Sequence, residues 1–295
     1  MSKKEECIAV VVTHNRPKLL LKVIESLSLQ TYPLKKIIVI DNDSEISAHK
    51  IIKDTKNIDI VRLKNNLGGS AGFKEGIKKA LVHDPDWVWL MDDDACPFQN
   101  ALEKIMSIKS QVTLKSKVGA FCSSVIEGDH QAYYHQKNFD WKFGTTFPLS
   151  TNIQNKEFVK VDIASFVGLL LNKKAIIDIG LPISKFFITH DDMEYSLRLR
   201  SFNYFLYLIP SSKIKHSLKK QPHVASNFGE RHYFEIRNHI LVIKKYSSIK
   251  FAAVVISIFR SLRILRLSKN KFNIDALKLY LKAICHGLFK KAADE

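Results

Sequence analysis

Cysteine is scarce in this chain. Its four copies, Cys7, Cys96, Cys122 and Cys285, lie far apart, and no two form a CxxC pair. That spacing implies neither a zinc knuckle nor a disulfide framework and fits reduced thiols in a cytosol. Long apolar runs are missing as well. None approaches the ~20 residues that cross a bilayer, and the opening Met-Ser-Lys-Lys-Glu-Glu-Cys lacks the apolar core of a signal peptide. The expectation is a protein made and kept inside the cell. Acidic residues are the third shortage: 29 Asp+Glu against 46 Lys+Arg leave a net charge of +17. Such a balance points to an anionic partner, whether nucleic acid, phosphorylated substrate or acidic membrane surface. The common phosphate loops are absent too: no Gly-Lys-Ser/Thr follows the glycines at 68–72, and no GxGxxG follows the first apolar run. No Ser/His/Asp or Cys/His arrangement demands a covalent nucleophile.

What is present is enough apolar material for a full core, 46% of 295 residues, which suggests one large α/β domain with an appendage. The run Cys7–Val12 reads as a strand, followed by Thr13-His14-Asn15-Arg16-Pro17 and a helix with apolar Leu19, Leu20, Val23, Ile24 and Leu27. Lys35–Ile40 and Ile58–Leu63 are further strands, ending in Asp41-Asn42-Asp43-Ser44 and Lys64-Asn65-Asn66. Apolar runs that all end in polar residues fit parallel strands delivering loops to one ligand-binding edge. Asn65-Asn66-Leu67-Gly68-Gly69-Ser70-Ala71-Gly72 then opens a helix, where glycines let a phosphate or ribose approach backbone N–H groups or simply make a tight turn.

The centre of the pattern is Trp87–Met91, a buried strand running straight into Asp92, Asp93 and Asp94. Three adjacent carboxylates repel unless a cation neutralises them, and hard oxygen ligands suit Mg²⁺ or Mn²⁺; the same triplet also fits an acidic turn or helix cap. After a helix to about Lys109 and a strand Val118–Ile126, residues 127–156 read as an aromatic excursion over the sheet, and Phe158–Leu171 as one more strand. His190-Asp191-Asp192-Met193-Glu194 places carboxylates at the mouth of a helix, as an N-cap or as a general base. His216 closes a strand beginning near Phe202, where it is either a surface residue or a metal ligand beside carboxylates.

From Glu230 onward there are 14 basic and 5 acidic residues, a net +9. A helix to Tyr246 and another over Phe251–Leu267, with Arg260, Arg263 and Arg266 every third position, match either an anionic membrane surface or a helix pair packed on the core or on a partner subunit in a homo-oligomer.

In order and spacing, Val11-Val12-Thr13-His14-Asn15-Arg16, Asp41-Asn42-Asp43-Ser44, Asn65–Gly72, Asp92-Asp93-Asp94 and His190–Glu194 resemble family 2 glycosyltransferases of the GT-A fold, most closely the galactofuranosyltransferase and rhamnosyltransferase branch. The resemblance spans residues 8 to 245. It implies a Rossmann-like mixed α/β sheet flanked by helices in a catalytic domain over 1–226, with a basic, amphipathic helical extension over 227–295. It further implies that Thr13, Asn15, Arg16 and Asp41 hold the nucleotide base and ribose, and that Asn66, Gly69 and Gly72 line the nucleotide or its phosphates. Asp92, Asp94 and His216 hold Mn²⁺ or Mg²⁺, Asp93 lies against ribose or donor sugar, Asp192 is the base and Asp191 contacts sugar hydroxyls. Arg231 and Arg237 are added, from charge and position, as partners of the leaving diphosphate.

The implied reaction is an inverting displacement from a nucleotide sugar, UDP-galactofuranose first and dTDP-rhamnose second, onto a hydroxyl of a lipid-linked bacterial surface glycan. It takes place at the cytoplasmic face of the inner membrane. Nucleic acid is not expected as a partner, because acidic clusters at strand ends repel phosphate unless metal is bound and no base-stacking motif accompanies the charge.

Overall fold

The computed structural model describes residues 4–53, 56–114, 116–149, 151–217 and 227–290. Strand and helix alternate at first: β1 (Cys7–Thr13), α1 (Pro17–Ser28), β2 (Lys36–Asp41), α2 (Ala48–Ile51), β3 (Ile58–Arg62), α3 (Gly68–Leu81) and β4 (Trp87–Asp92). A short β5 (Ala95–Pro97) and α4 (Ala101–Thr113) lead to β6 (Val118–Glu127). Then come β7 (His130–Gln131), β8 (Gln136–Phe139), β9 (Thr146–Pro148), β10 (Val159–Val161), β11 (Ile163–Ala164) and β12 (Leu169–Asn172). Next are α5 (Lys173–Ile179), α6 (Asp191–Ser201) and β13 (Phe205–His216), followed by α7 (Glu230–Tyr246), α8 (Lys250–Leu267) and α9 (Ile274–Phe289).

The main sheet runs β10-β13-β6-β12-β4-β1-β2-β3, with β5 on β13 and β7 on β6. Its β3-β2-β1-β4 half is parallel, and β12 is inserted antiparallel between β4 and β6. Successive side chains point to opposite faces of a strand. Cys7, Ala9 and Val11 of β1 therefore join one core cluster with Leu20 and Val23 of α1, while Ile8, Val10 and Val12 join the other with Phe73 and Ile77 of α3. Burial on both faces is why these strands read as unbroken apolar runs.

Register sets the rim. Val12 sits opposite Asp92 and Thr13 opposite Asp41, so the carboxyl ends of β1, β2 and β4 come out together. On the far side, β13 bulges over 210–212 where its register against β6 slips, then runs antiparallel to β5 with His216 opposite Ala95. A bulge of this kind bends a strand and re-aims its end, and here it brings His216 beside Asp94.

Two readings of the sequence need correction. Phe158–Leu171 is not one strand: β10 edges the main sheet, β11 pairs with β8 in a small sheet completed by β9, and only β12 enters the centre. The chain must turn at Gly168, whose φ of +77° and whose missing Cβ, only 2.0 Å from Ile214 Cδ1, both require glycine. The C-terminal region holds three helices, not a pair. Helix α9 buries Ala276, Tyr280, Ala283 and Gly287, with Gly287 against Ile240 of α7 and the Tyr280 hydroxyl beside Ser261 of α8.

The terminal helices are joined to the sheet domain through α7. Glu194 of α6 is nearly inaccessible and receives Arg198 at 2.6 Å, Lys245 at 2.9 Å and the Tyr246 hydroxyl at 2.8 Å. Val242 and Tyr246 share a core with Met193 and Leu197.

Candidate active site

The sequence put chemistry at the strand ends, and the structure draws those ends into one cleft. Thr13 donates its hydroxyl to Asp93 at 2.8 Å, the His14 N–H points to the same oxygen at 3.4 Å, and the Arg16 guanidinium bridges Asp93 at 3.1 Å and Asp94 at 2.6 Å. Thr13 and Arg16 also line a small hollow with Pro17, Leu20, Ser44 and Ile46. Asn15, at φ +54°, accepts the Glu45 N–H on its Oδ1 and donates its own backbone N–H to Ser44 Oγ.

Asp41 does not face that hollow directly. Its two oxygens accept the N–H groups of Ser44 at 2.8 Å and Ala48 at 2.9 Å, and its side chain is fully buried. Burial pushes its carboxyl up, but those N–H groups and Arg62 outweigh it and hold the group below the usual range. Asp41 thus shapes the loop that walls the hollow. Asn66 likewise works between loops, accepting from Asn42 at 2.9 Å and from Gly68 N–H at 3.0 Å.

The glycines divide by role. A Cβ at Gly72 would lie 2.5 Å from Val12 Cγ1, so Gly72 is the place where α3 packs onto β1, whereas a Cβ at Gly69 would meet nothing within 4 Å. Only Gly69 leaves open space at the helix start.

Asp92, Asp94 and His216 each offer one ligand atom, and these atoms all lie within 4.8 Å of one another. Two carboxylate oxygens and one imidazole nitrogen form a donor set that fits Mn²⁺ well. Burial, then the charges of Asp94 and Asp93, lift the Asp92 carboxyl to about 7. Asp94 is held low because His216 and Arg16 outweigh its burial. His216 stands between carboxylates, with Nε2 3.2 Å from Asp94 and Nδ1 2.8 Å from Glu127. Burial works against its positive charge, but the two acids raise its pKa to about 9. Glu127 is itself fixed by His135 at 3.1 Å and by the Tyr134 hydroxyl.

A second acidic cluster lies within electrostatic reach of the first. Asp191 and Asp192 open α6, where helix N–H groups favour negative charge. Ser70 of α3 donates to Asp191 at 2.8 Å, and the charge of Asp191 is close enough to disfavour ionisation of Asp92. Burial, then Asp191, raises the Asp192 carboxyl to about 7. The loop before α6 is strained: Phe187, Thr189 and His190 all have φ near +60°, a conformation costing of order 1–3 kcal/mol for each such residue.

A family model described as "Glycosyl transferase family 2" matches residues 8–180 of this chain. The chain belongs to that family. It is 30% identical over 203 residues to the galactofuranosyltransferase GlfT1 of Mycobacterium tuberculosis, covering 66% of this chain and 64% of GlfT1. The chain thus spans a little under two thirds of that relative. It is 22% identical over 293 residues to the dTDP-rhamnosyl transferase RfbF of Shigella flexneri, covering 95% of this chain and 94% of RfbF.

Solved structures with the same fold include GalNAc-T7 with UDP, GalNAc and Mn²⁺, at a TM-score of 0.66, 15% identity, and coverage of 97% of this chain and 57% of that one. S. aureus TarS 1-349 with UDP-GlcNAc gives 0.60 at 14% identity, covering 94% and 79%. The fold is therefore GT-A, with helices added at the C-terminal end.

The family 2 match ends at Gly180, before Asp191, Asp192 and His216, and the fold returns Asp191 to Ser70 and His216 to Asp94 of the matched half. Arg237 goes elsewhere. Its guanidinium bonds the Asn238 side chain at 2.8 Å and the Lys185 carbonyl at 2.5 Å, while Arg231 is exposed on the first turn of α7. Sequence reasoning in family 2 terms also missed Ser70, Glu127 and Tyr134. Ser70 stood within a quoted motif, but its partner lies 121 positions away.

The two glycines make opposite predictions. Gly69→Ala should leave stability unchanged or raise it by up to ~1 kcal/mol, the helix preference for alanine. Gly72→Ala should cost about 1–3 kcal/mol through overpacking against Val12. Denaturant unfolding of both variants checks this, and equal midpoints would contradict the packing role.

Proposed function

We propose that the chain is a metal-dependent, inverting glycosyltransferase that moves a sugar from a nucleotide sugar to an acceptor hydroxyl. One observation carries the reading: Asp92, Asp94 and His216 bring three ligand atoms within 4.8 Å of one another, and Asp191, next to Asp192 at the start of α6, is near enough for its charge to disfavour ionisation of Asp92. Thr13, Asn15, Arg16 and the Asp41-braced loop take the nucleoside, the open helix start at Gly69 takes phosphate, and Asp93 lies toward ribose or sugar. Asp92, Asp94 and His216 hold Mn²⁺ or Mg²⁺, which when bound supplies positive charge for the leaving diphosphate.

Asp192 acts as the base. With its carboxyl lifted to about 7, about half of it is ionised at neutral pH, and that fraction is basic enough to take the proton of an attacking hydroxyl. Attack from the face opposite the leaving group inverts the anomeric carbon, and Asp191, held by Ser70, positions the sugar. The preferred donor is UDP-galactofuranose, supported by the GlfT1 likeness. The second reading, dTDP-rhamnose, is supported by the nearly full-length likeness to RfbF. The acceptor is a lipid-linked surface glycan.

The acceptor chemistry and the terminal helices support one location, the cytoplasmic face of the inner membrane. Among the described residues, no helix is long and apolar enough to cross a membrane. Yet Phe251, Phe259, Phe272 and Phe289 are 83%, 69%, 92% and 81% exposed. On α8, Phe259, Arg263 and Arg266 lie opposite the buried Ala253, Ser257, Ser261 and Leu265. Exposed aromatics beside arginines suit the surface of an anionic bilayer.

Three outcomes follow. Asp192→Asn should lower kcat by ~10²-fold or more while sparing Mn²⁺·UDP affinity, and the wild-type rate should climb as pH rises through about 7, because the base works deprotonated. UDP release from UDP-galactofuranose, or dTDP release from dTDP-rhamnose, measures both; a flat profile from pH 6 to 8 would contradict the assignment. Glu127→Ala should weaken Mn²⁺ binding roughly 10–100-fold, read by electron paramagnetic resonance of free Mn²⁺, because an outer carboxylate orients a ligating histidine. The protein should co-sediment with phosphatidylglycerol vesicles and less with phosphatidylcholine, and Phe259→Glu with Phe272→Glu should release it; no sedimentation with either lipid removes the membrane from the picture.

A further inference from the structure

The loop that delivers the second acidic cluster does not hold itself. Between Phe186 and His190 the backbone enters the left-handed region at Phe187, Thr189 and His190, none of them glycine, and the turn at Phe187 is closed by Ile188 N–H on the Phe186 carbonyl at 2.7 Å. Such a path persists only where its surroundings over-determine it. Three peptide carbonyls along it, those of Phe186, Ile188 and Thr189, point to a single group. Each lies 2.9 Å from the Nδ2 of Asn238, a fully buried residue in α7.

All three partners accept, so the amide must present its N–H₂ side to them, two hydrogens being shared among three oxygens. The amide is fixed from behind by Arg237, whose Nε donates to Asn238 Oδ1 at 2.8 Å while its Nη2 reaches the Lys185 carbonyl at 2.5 Å. Phe234, one turn earlier on α7, stacks on Phe187 with ring centroids 4.8 Å apart. The same loop carbonyl that would collide with a side chain at Gly68, Phe187 O, accepts the Ser70 N–H at 3.2 Å. The loop is thus gripped between α7 and the start of α3, and Asp191 and Asp192 leave it directly into α6.

We infer that Asn238 is the positioning residue for the catalytic base: its amide holds the 186–190 loop in the conformation that starts α6 at Asp191 and Asp192, with Asp191 on Ser70. The inference rests on the reading of Asp192 as base. It makes α7 part of the active site, although that helix lies beyond the family match. Asn238 touches neither the metal ligands nor the nucleoside loops, and its loss should therefore spare Mn²⁺·UDP affinity and cost turnover.

The test compares Asn238→Ala and Asn238→Ser, the latter keeping one hydroxyl donor, with Ile240→Ala, a core truncation two residues along α7 that leaves the loop untouched. Each full-length variant is assayed for kcat and KM by UDP release from UDP-galactofuranose, for Mn²⁺·UDP affinity by equilibrium titration, and for melting temperature. Asn238→Ala should lose at least tenfold in kcat with Mn²⁺·UDP affinity within twofold of wild type, and Asn238→Ser should fall between. Ile240→Ala should melt earlier yet keep kcat within twofold when assayed well below its melting point. A folded Asn238→Ser or Asn238→Ala with wild-type kcat overturns the inference, as does a loss that tracks melting temperature or Mn²⁺·UDP affinity. Should Asn238→Ala fail to fold, Asn238→Ser decides alone. Asp192→Asn assayed alongside separates the two claims: wild-type turnover there removes the base itself, whereas an inactive Asp192→Asn beside fully active Asn238 variants removes only the positioning.

Discussion

Repulsion between carboxylates is the constraint on which this structure depends. Asp92, Asp93, Asp94, Asp191 and Asp192 converge from two distant stretches, and like charges in a partly desolvated cleft oppose one another. The fold answers each in a different way. Arg16 spans Asp93 and Asp94, His216 backs Asp94, Ser70 donates to Asp191, and the first turn of α6 supplies helix N–H groups to Asp191 and Asp192. Burial first, and repulsion second, still lift the carboxyls of Asp92 and Asp192 to about 7 and raise those of Asp93 and Asp191 above their ordinary value. A cleft with residual negative charge has use for a divalent cation, and one with a carboxyl near neutrality has use for a base.

The scaffold serves that convergence. Parallel pairing of β1, β2 and β4 in register delivers Thr13, Asp41 and Asp92 to one rim, which is where open α/β sheets bind ligands. The other wall is built by devices that work against local preference: a bulge in β13 that brings His216 round, and a left-handed loop that launches α6. The first is held by β5, which follows Asp94 directly, and the second by α7, beyond the family match. Strain at a functional site, offset by packing elsewhere, is what a fold shows when geometry matters more than propensity.

Much of the rim was legible in the sequence because an apolar run flush against Asp92-Asp93-Asp94, or against Asp41-Asn42, leaves a strand few other places to end. The helices α7 and α8 were legible through their periodicity. The rest failed for physical reasons. Antiparallel β12 looks like any buried strand, since Leu169–Leu171 carry no sign of direction. Gly72 reads like a phosphate-loop glycine, and only the distance to Val12 assigns it to packing. Asp41 is acidic at a strand end like Asp92, yet backbone N–H groups occupy both its oxygens. Phe187, Thr189 and His190 are poor residues for positive φ, so nothing local announces their conformation. Asn238 is an ordinary helix residue until three carbonyls 49 to 52 positions away are seen to meet it.

The central claim is that the two acidic clusters form one cation-dependent nucleotide site. Calorimetric titration of UDP into the wild-type protein and into Asp94→Asn, with and without Mn²⁺, tests it most directly. The account predicts that UDP binds wild type at least tenfold more tightly with Mn²⁺ than without, and that this gain vanishes in Asp94→Asn. Equal UDP affinity with and without Mn²⁺, or a full Mn²⁺ gain in the variant, would contradict it.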